Sequence, residues 1–270
     1  MELVVKPGQW GWSFDELVSS WQLAEEAGFD GLSCFDHVST NRDPVWDPVT
    51  LLGVMAAVTD RIALAVHVLN VNLRNPFLLA GQLGVVQAAS GGRLRVGLGA
   101  GSGIAVEDHE ATGIPFPPFE QRLERLETCC RVLPALWRGE PVTDDKLGLN
   151  NASLGDLEIT APELVLGGES DRVLDIAAKH ADAWNGQGGS VDDWSEASGK
   201  LHAACREMGR EHTITTEAQV FVDEYLTNDD LGDLRVHLDK LESAGADRAV
   251  LVLHHVKSPT AVERLASVAL

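Results

Sequence analysis

Asp36-His37 is the pair in this sequence best suited to moving a proton. A neutral imidazole held by a carboxylate or a backbone acceptor donates or accepts a proton near neutral pH. The competing use is a histidine that satisfies a loop carbonyl. Two glycine-rich runs could bring backbone close to a ligand. Gly99-Ala100-Gly101-Ser102-Gly103 lets the chain approach a flat ring or a phosphate, although its glycines miss the GxGxxG spacing and no helix signal follows directly. Gly167-Gly168-Glu169-Ser170 joins a strand to a helix, so the first amides of that helix could hold a phosphate. A plain turn capped by Ser170 is the other reading. Of His254 and His255, at most one points into a site if the strand persists, because side chains alternate. Trp46 offers a ring for stacking or a lid. A metal centre is not expected, since there is no HxH after the first strand and no cluster of carboxylates at the other strand ends.

These residues need a frame that gathers them, and short β-rich runs alternating with amphipathic helices supply one. Strands are predicted at Leu3 to Lys6, Gly31 to Phe35, Ile62 to Val68, Leu94 to Leu98, Leu164 to Leu166, Ala183 to Asn185, Ala218 to Val222 and Ala249 to Leu253. Helices follow them, opened by Ser13 with Glu16 in a capping box, by Asp47-Pro48, by Asn75-Pro76, and by Ser170 and Ser190. The helix from about Pro118 to Trp137 repeats Phe119, Leu123, Leu126, Cys130, Leu133 and Trp137 at helical spacing. Eight β-then-α units, with continuous apolar strands that imply burial on both faces, point to one (β/α)8 barrel covering 1–270. Glu140 to Ala161 is expected to be a loop, not a domain boundary. In such a barrel the active site lies at the C-terminal strand ends. That is where Asp36-His37, His67-Val68-Leu69-Asn70, both glycine runs, Asn185-Gly186 and His254-His255 fall.

Forty-one acidic against 21 basic side chains give a formal charge of −20. That field repels phosphate backbones and anionic headgroups, so nucleic acid and membrane surfaces are poor partners. No apolar run is long enough for a membrane helix, and the N-terminus lacks the pattern of a signal peptide. The four cysteines show no CxxC spacing. A cytoplasmic setting is expected.

The same segments resemble a known family. Ala27-Gly28-Phe29-Asp30-Gly31-Leu32 with Asp36-His37, and Thr59-Asp60-Arg61-Ile62-Ala63-Leu64 leading to Leu73-Arg74-Asn75-Pro76, are similar to luciferase-like flavin and deazaflavin (F420) oxidoreductases. Ser90-Gly91-Gly92-Arg93-Leu94-Arg95-Val96-Gly97-Leu98-Gly99-Ala100-Gly101 is the most specific match. Gly113-Ile114-Pro115-Phe116-Pro117-Pro118, Arg122-Leu123-Glu124-Arg125-Leu126 and His180-Ala181-Asp182-Ala183-Trp184-Asn185 extend it over nearly the whole chain. The resemblance implies a luciferase-like barrel with the cofactor ring at its mouth and a non-prolyl cis peptide at His67-Val68. It makes His37 the proton donor or anion stabiliser in hydride transfer, with Asp36 beside the ring. Val68, Asn70, Gly99, Gly101 and Ser102 would lie near the ring, while Gly167, Gly168 and Ser170 take the phosphate. Trp46 and His254 would meet a small organic substrate.

Coenzyme F420 is the expected cofactor, with FMN in a monooxygenase as the alternative and a cofactor-less paralogue as a third possibility. Relatives of this type pair through barrel helices, so a homodimer is in view. Four departures carry expectations of their own. His67 is bulkier than the residue usual at the bulge and would crowd the ring. Ser102 stands where some deazaflavin enzymes carry an acid, so that group is absent or moved. Glu140–Pro162 is short in a region that often builds the cofactor cleft. Arg42 and Arg74 would compensate locally for the acidic surface facing a polyanionic cofactor tail.

Overall fold

A computed structural model describes residues 1–39, 43–210 and 214–269. In chain order the elements are β1 (Glu2–Pro7), α1 (Phe14–Ala27), β2 (Gly31–Cys34), α2 (Pro48–Val58), β3 (Ala63–Asn70), α3 (Pro76–Ala89), β4 (Leu94–Gly99), α4 (Val106–Thr112), α5 (Phe119–Trp137), β5 (Val142–Asp144) and β6 (Leu149–Ala152). There follow β7 (Glu163–Gly167), α6 (Asp171–His180), β8 (Ala183–Gln187), α7 (Val191–Glu207), β9 (Thr215–Phe221), α8 (Asp223–Asn228), α9 (Leu231–Ser243), β10 (Arg248–Leu253) and α10 (Pro259–Ala269). Eight parallel strands close in the order β1-β10-β9-β8-β7-β4-β3-β2, so the predicted (β/α)8 barrel is the observed fold.

Local chemistry sets the helix starts. Ser13 and Glu16 form a reciprocal capping box, Asp47 accepts from the Thr50 amide ahead of Pro48, and Asn75 accepts from the Phe77 and Leu78 amides ahead of Pro76. Each such cap is worth about 1 kcal/mol. The strands then divide their side chains between two cores. Outward-facing Leu3, Val5, Leu32, Leu64 and Leu251 pack under the helices with Trp21, Leu52 and Leu83. Inward-facing positions hold Val4 and Val250 together with polar groups: Lys6, Ser33, His67, Glu217, Gln219 and Arg248, all buried.

The structure corrects four details. Strand bounds differ from the predicted limits by up to three residues, most consequentially in β9, which starts at Thr215 and so carries Glu217 into the barrel. The stretch expected to be a loop between Glu140 and Ala161 contains the antiparallel β5–β6 pair. Strands of three and four residues with mostly polar side chains leave no alternation to read. Lys146 pairs with Glu124 and Asp144 with Arg131, both on α5, so this hairpin lies along the flank of α5 and not over the strand ends. Finally, a 3-10 turn at Gly103–Ala105 and then α4 do follow the glycine run after β4, where no helix was expected. Seven residues, four of them charged or histidine, are too few to show a helical period.

Candidate functional site

At the end of β2, His37 Nδ1 lies 2.9 Å from Asp108 Oδ2, and the other Asp108 oxygen accepts from the Val38 and Ser39 amides at 2.8 and 3.0 Å. Asp108 sits on α4 with its side chain 1% exposed, whereas His37 is 27% exposed. Burial works against the Asp108 charge, but the His37 hydrogen bond and the two amides outweigh it and hold the carboxyl below its usual range. A carboxylate only accepts, so Nδ1 carries the proton and Nε2 presents its lone pair. That Nε2 has no hydrogen-bond partner among the described residues.

Asp108 was not anticipated. Its only signals were an acid-rich first turn and the stop at Gly113, which is left-handed at φ 69°.

Asp36 is enclosed instead. Its carboxylate takes the Arg74 guanidinium at 2.7 and 2.8 Å and the Asn70 amide at 2.7 Å. Burial pushes this carboxyl up, and Arg74 and the Asn70 amide pull it back. Arg74 also reaches Asp47 at 3.5 Å, so it is committed to this ion pair and does not serve as free charge for a cofactor tail. Arg42 lies outside the described residues. Asn70 spends its own side chain within the loop, its Oδ1 accepting from Asn72 and its Nδ2 meeting His109 at 3.0 Å.

The His67–Val68 peptide is cis, and the β3–β4 register shifts between Val66 and Leu69. His67 does not crowd the mouth as expected. Its ring turns into the barrel, with Nδ1 2.8 Å from Ser33 Oγ and Nε2 2.9 Å from Glu217. Val68 is the residue left at the surface of the bulge, half-buried. A side chain on Gly97, Gly99 or Gly167 would come within 2.6–2.8 Å of its methyls, so these three glycines make the room the bulge needs. Lys6 Nζ braces the same point from below. It donates to the His67 carbonyl at 2.5 Å and to Gln219 Oε1 at 2.8 Å, and stands 3.6 Å from the Phe35 ring centroid. Burial lowers its pKa to about 7.

Around these groups the rings gather. Trp10 lies 4.9 Å from Phe35, 5.8 Å from His37 and 5.0 Å from His254. His254 thus joins the mouth while His255 is exposed. Trp46 stands apart, 37% exposed, its ring 5.5 Å from Phe14 and its Nε1 donating to the Trp12 carbonyl.

On the far rim, Gly168 at φ 128° leads to Ser170, whose hydroxyl accepts from the Val173 amide as the cap of α6. Glu169 and Asp171 flank it, Glu169 accepting from the Gln187 amide. Ser102 and Gly101 open the turn before α4, with Gly101 at φ 78° against the Asn70 side chain. No group of three or more metal-ligating side chains occurs among the described residues.

The sequence profile of luciferase-like monooxygenases matches residues 5–230. The chain is 33% identical over 134 residues to an F420-dependent glucose-6-phosphate dehydrogenase of Beutenbergia cavernae, a match covering 48% of this chain and 39% of that protein. It is 27% identical over 191 residues to a 5,10-methylenetetrahydromethanopterin reductase of Archaeoglobus fulgidus, covering 70% and 54%. These matches thus span less than two thirds of either relative. The coenzyme F420-dependent tetrahydromethanopterin reductase of Methanopyrus kandleri superposes with a TM-score of 0.79 over 98% of this chain and 97% of that one, at 16% identity. At that identity the likeness is one of fold.

Proposed function

The chain belongs to the luciferase-like monooxygenase family, and from that premise we propose that it is an oxidoreductase moving a hydride between a deazaflavin of the F420 type and a small organic substrate at the barrel mouth. The observation that carries this is the His37–Asp108 pair at the end of β2, with Nε2 open beside the bulge.

The residues present fit the ring of such a cofactor. Glycines at the ends of β4 and β7 let the bulge seat Val68, half-buried, at the mouth, where its methyls would give the ring an apolar floor. The first-turn amides of α6 are the phosphate partners, with Gly167 and Gly168 giving close approach. Bound there, a deazaflavin supplies a two-electron hydride donor or acceptor.

The chain's own groups do the rest. Asp108 fixes the tautomer and orientation of His37. Nε2 takes the proton from a substrate hydroxyl as the hydride leaves the adjacent carbon, or returns it in the reverse direction. Asp36 positions the segment: held by Arg74, it anchors the Asn70 amide just past the bulge. Trp10 and Phe35 wall the site and exclude water.

His37→Ala tests this directly. Turnover of the loaded enzyme on any alcohol or carbonyl compound found to react should fall well over tenfold, with cofactor affinity nearly unchanged. Unchanged turnover removes His37 from the reaction.

Two further features belong to the proposal. No helix among the described residues is long and apolar enough to cross a membrane, and the four cysteines are free and buried, which suits a reducing cytoplasm. The assembly is a homodimer. α2 and α3 carry no charged residue, and Leu78 and Val85, seven apart on α3, are 64% and 70% exposed. Two chains of charge −20 meet most easily where neither is charged. Leu78→Glu with Val85→Glu should give monomers by sedimentation, and a monomeric parent chain would refute the pairing.

A further inference from the structure

A second cavity opens beside the mouth, a cleft of about 690 Å³ between the ends of β9 and β10 and helices α8 and α9. It is continuous with the catalytic rings through His254, which lies 5.0 Å from Trp10 on one side and 6.1 Å from Phe221 on the other. Phe221 is a large apolar side chain left 48% exposed, and with Tyr225 it gives the cleft an aromatic wall.

The polar part of the lining has one sign. Asp223, Glu224, Asp230 and Asp233 border the cleft, and among the described residues no lysine or arginine does. Asp223 is engaged by the amides of His254, His255 and Val256, which bring no charge of their own to the cleft. Among the described residues none of the four makes an ion pair with a lysine or arginine. The three histidines, His237, His254 and His255, face it too. Burial and the neighbouring His255 lower the basicity of His254, so it adds no compensating charge at neutral pH.

We propose that this cleft is the outer part of the substrate site, joined at His254 to the reacting end beside His37, and that it admits small uncharged or cationic molecules while excluding phosphorylated and carboxylated ones, an assignment that rests on the hydride-transfer reading of the mouth. The aromatic wall accepts the apolar face of a ring or chain. The carboxylates accept hydrogen bonds from hydroxyl or ammonium groups. A phosphate dianion would meet several like charges and no cation in the described lining, a penalty on the order of a hundredfold in affinity at low ionic strength. This sets the chain apart from the relatives named for glucose 6-phosphate.

The test uses matched probes on the deazaflavin-loaded enzyme: cyclohexanol, cyclohexylamine and cyclohexyl phosphate, then glucose against glucose 6-phosphate. Binding is read by ligand-observed NMR at low salt and slightly alkaline pH. The alcohol and the amine should bind, each phosphate at least tenfold more weakly than its uncharged parent, and Phe221→Ala should weaken all of them. In Glu224→Lys with Asp230→Lys the phosphates should become the tighter partners. Glu224→Gln with Asp230→Asn should shrink the discrimination severalfold, and serves if the reversed variant does not fold. Equal binding of phosphate and parent, a preference that ignores these substitutions, or no probe binding at all overturns the assignment. Cofactor titration separates the two claims. A chain that takes up deazaflavin but fails the probe test loses only the cleft. One that discriminates among probes without binding deazaflavin loses only the hydride reading.

Discussion

The two ends of the barrel use the same residue types to opposite purpose. At the N-terminal end, Arg248 is shared among Glu2, Glu163 and Glu217, and Glu217 also holds the His67 ring and the Asn185 amide. Its carboxylate oxygens are all engaged by groups of the chain. At the C-terminal end, His37 is fixed on one nitrogen only and Val68 is half uncovered. Paired charge alone therefore does not mark the site. What marks it is a group oriented by one buried partner with its other valence turned outward, beside the half-buried Val68 of the bulge.

The comparison can be broken at the closed end first, where the effect is largest. Glu217→Ala removes the buried carboxylate that links Arg248 to His67, leaving Arg248 only Glu2 and Glu163, and should cost about 3–5 kcal/mol by denaturant unfolding. The acid limb reports the same group. Arg248 and His67 overcome burial and hold the Glu217 carboxyl at about 2, so its contribution is complete above the ordinary carboxylate range. It is lost as pH falls through that range toward 2, because the unfolded chain takes up the proton first. Glu217→Gln should flatten that limb.

At the open end the effect falls on rate instead of stability. Asp108→Asn keeps the shape but lets the wrong His37 tautomer form, so turnover should drop by about tenfold with little change in melting temperature. A loss of stability with unchanged turnover per folded molecule would make Asp108 a structural cap only. The smallest effect is at the rim. Removing charge beside the α6 amides with Glu169→Gln and Asp171→Asn should tighten deazaflavin binding two- to threefold, more at low salt. Weaker binding would mean that the anionic tail lies elsewhere.

The sequence made the open end legible in outline. Strand ends and glycine runs located the mouth, and His37, Val68, Gly99 and Gly167 do meet there. It hid the parts that depend on which way a side chain turns. Read along the strand, His67 looks like an obstacle to the ring. In the barrel its neighbours Ser33 and Glu217 draw it inward. Arg74 reads as a free cation in a loop, yet Asp36 is near enough to claim it. Asp108 was beyond reach because α4 is too short for periodicity, and its partner lies 71 residues away. The polar interior had a signal that went unused. Lys6, Glu217, Gln219 and Arg248 sit within or beside apolar runs, where a charge must find a partner inside.

The most direct test of the central claim is to titrate F420 and FMN separately into the purified protein and follow fluorescence. Saturable binding of F420, with FMN much weaker, is the predicted result. Tight binding of FMN alone would place the chain among the monooxygenases, and binding of neither would contradict a hydride-transfer site at this mouth.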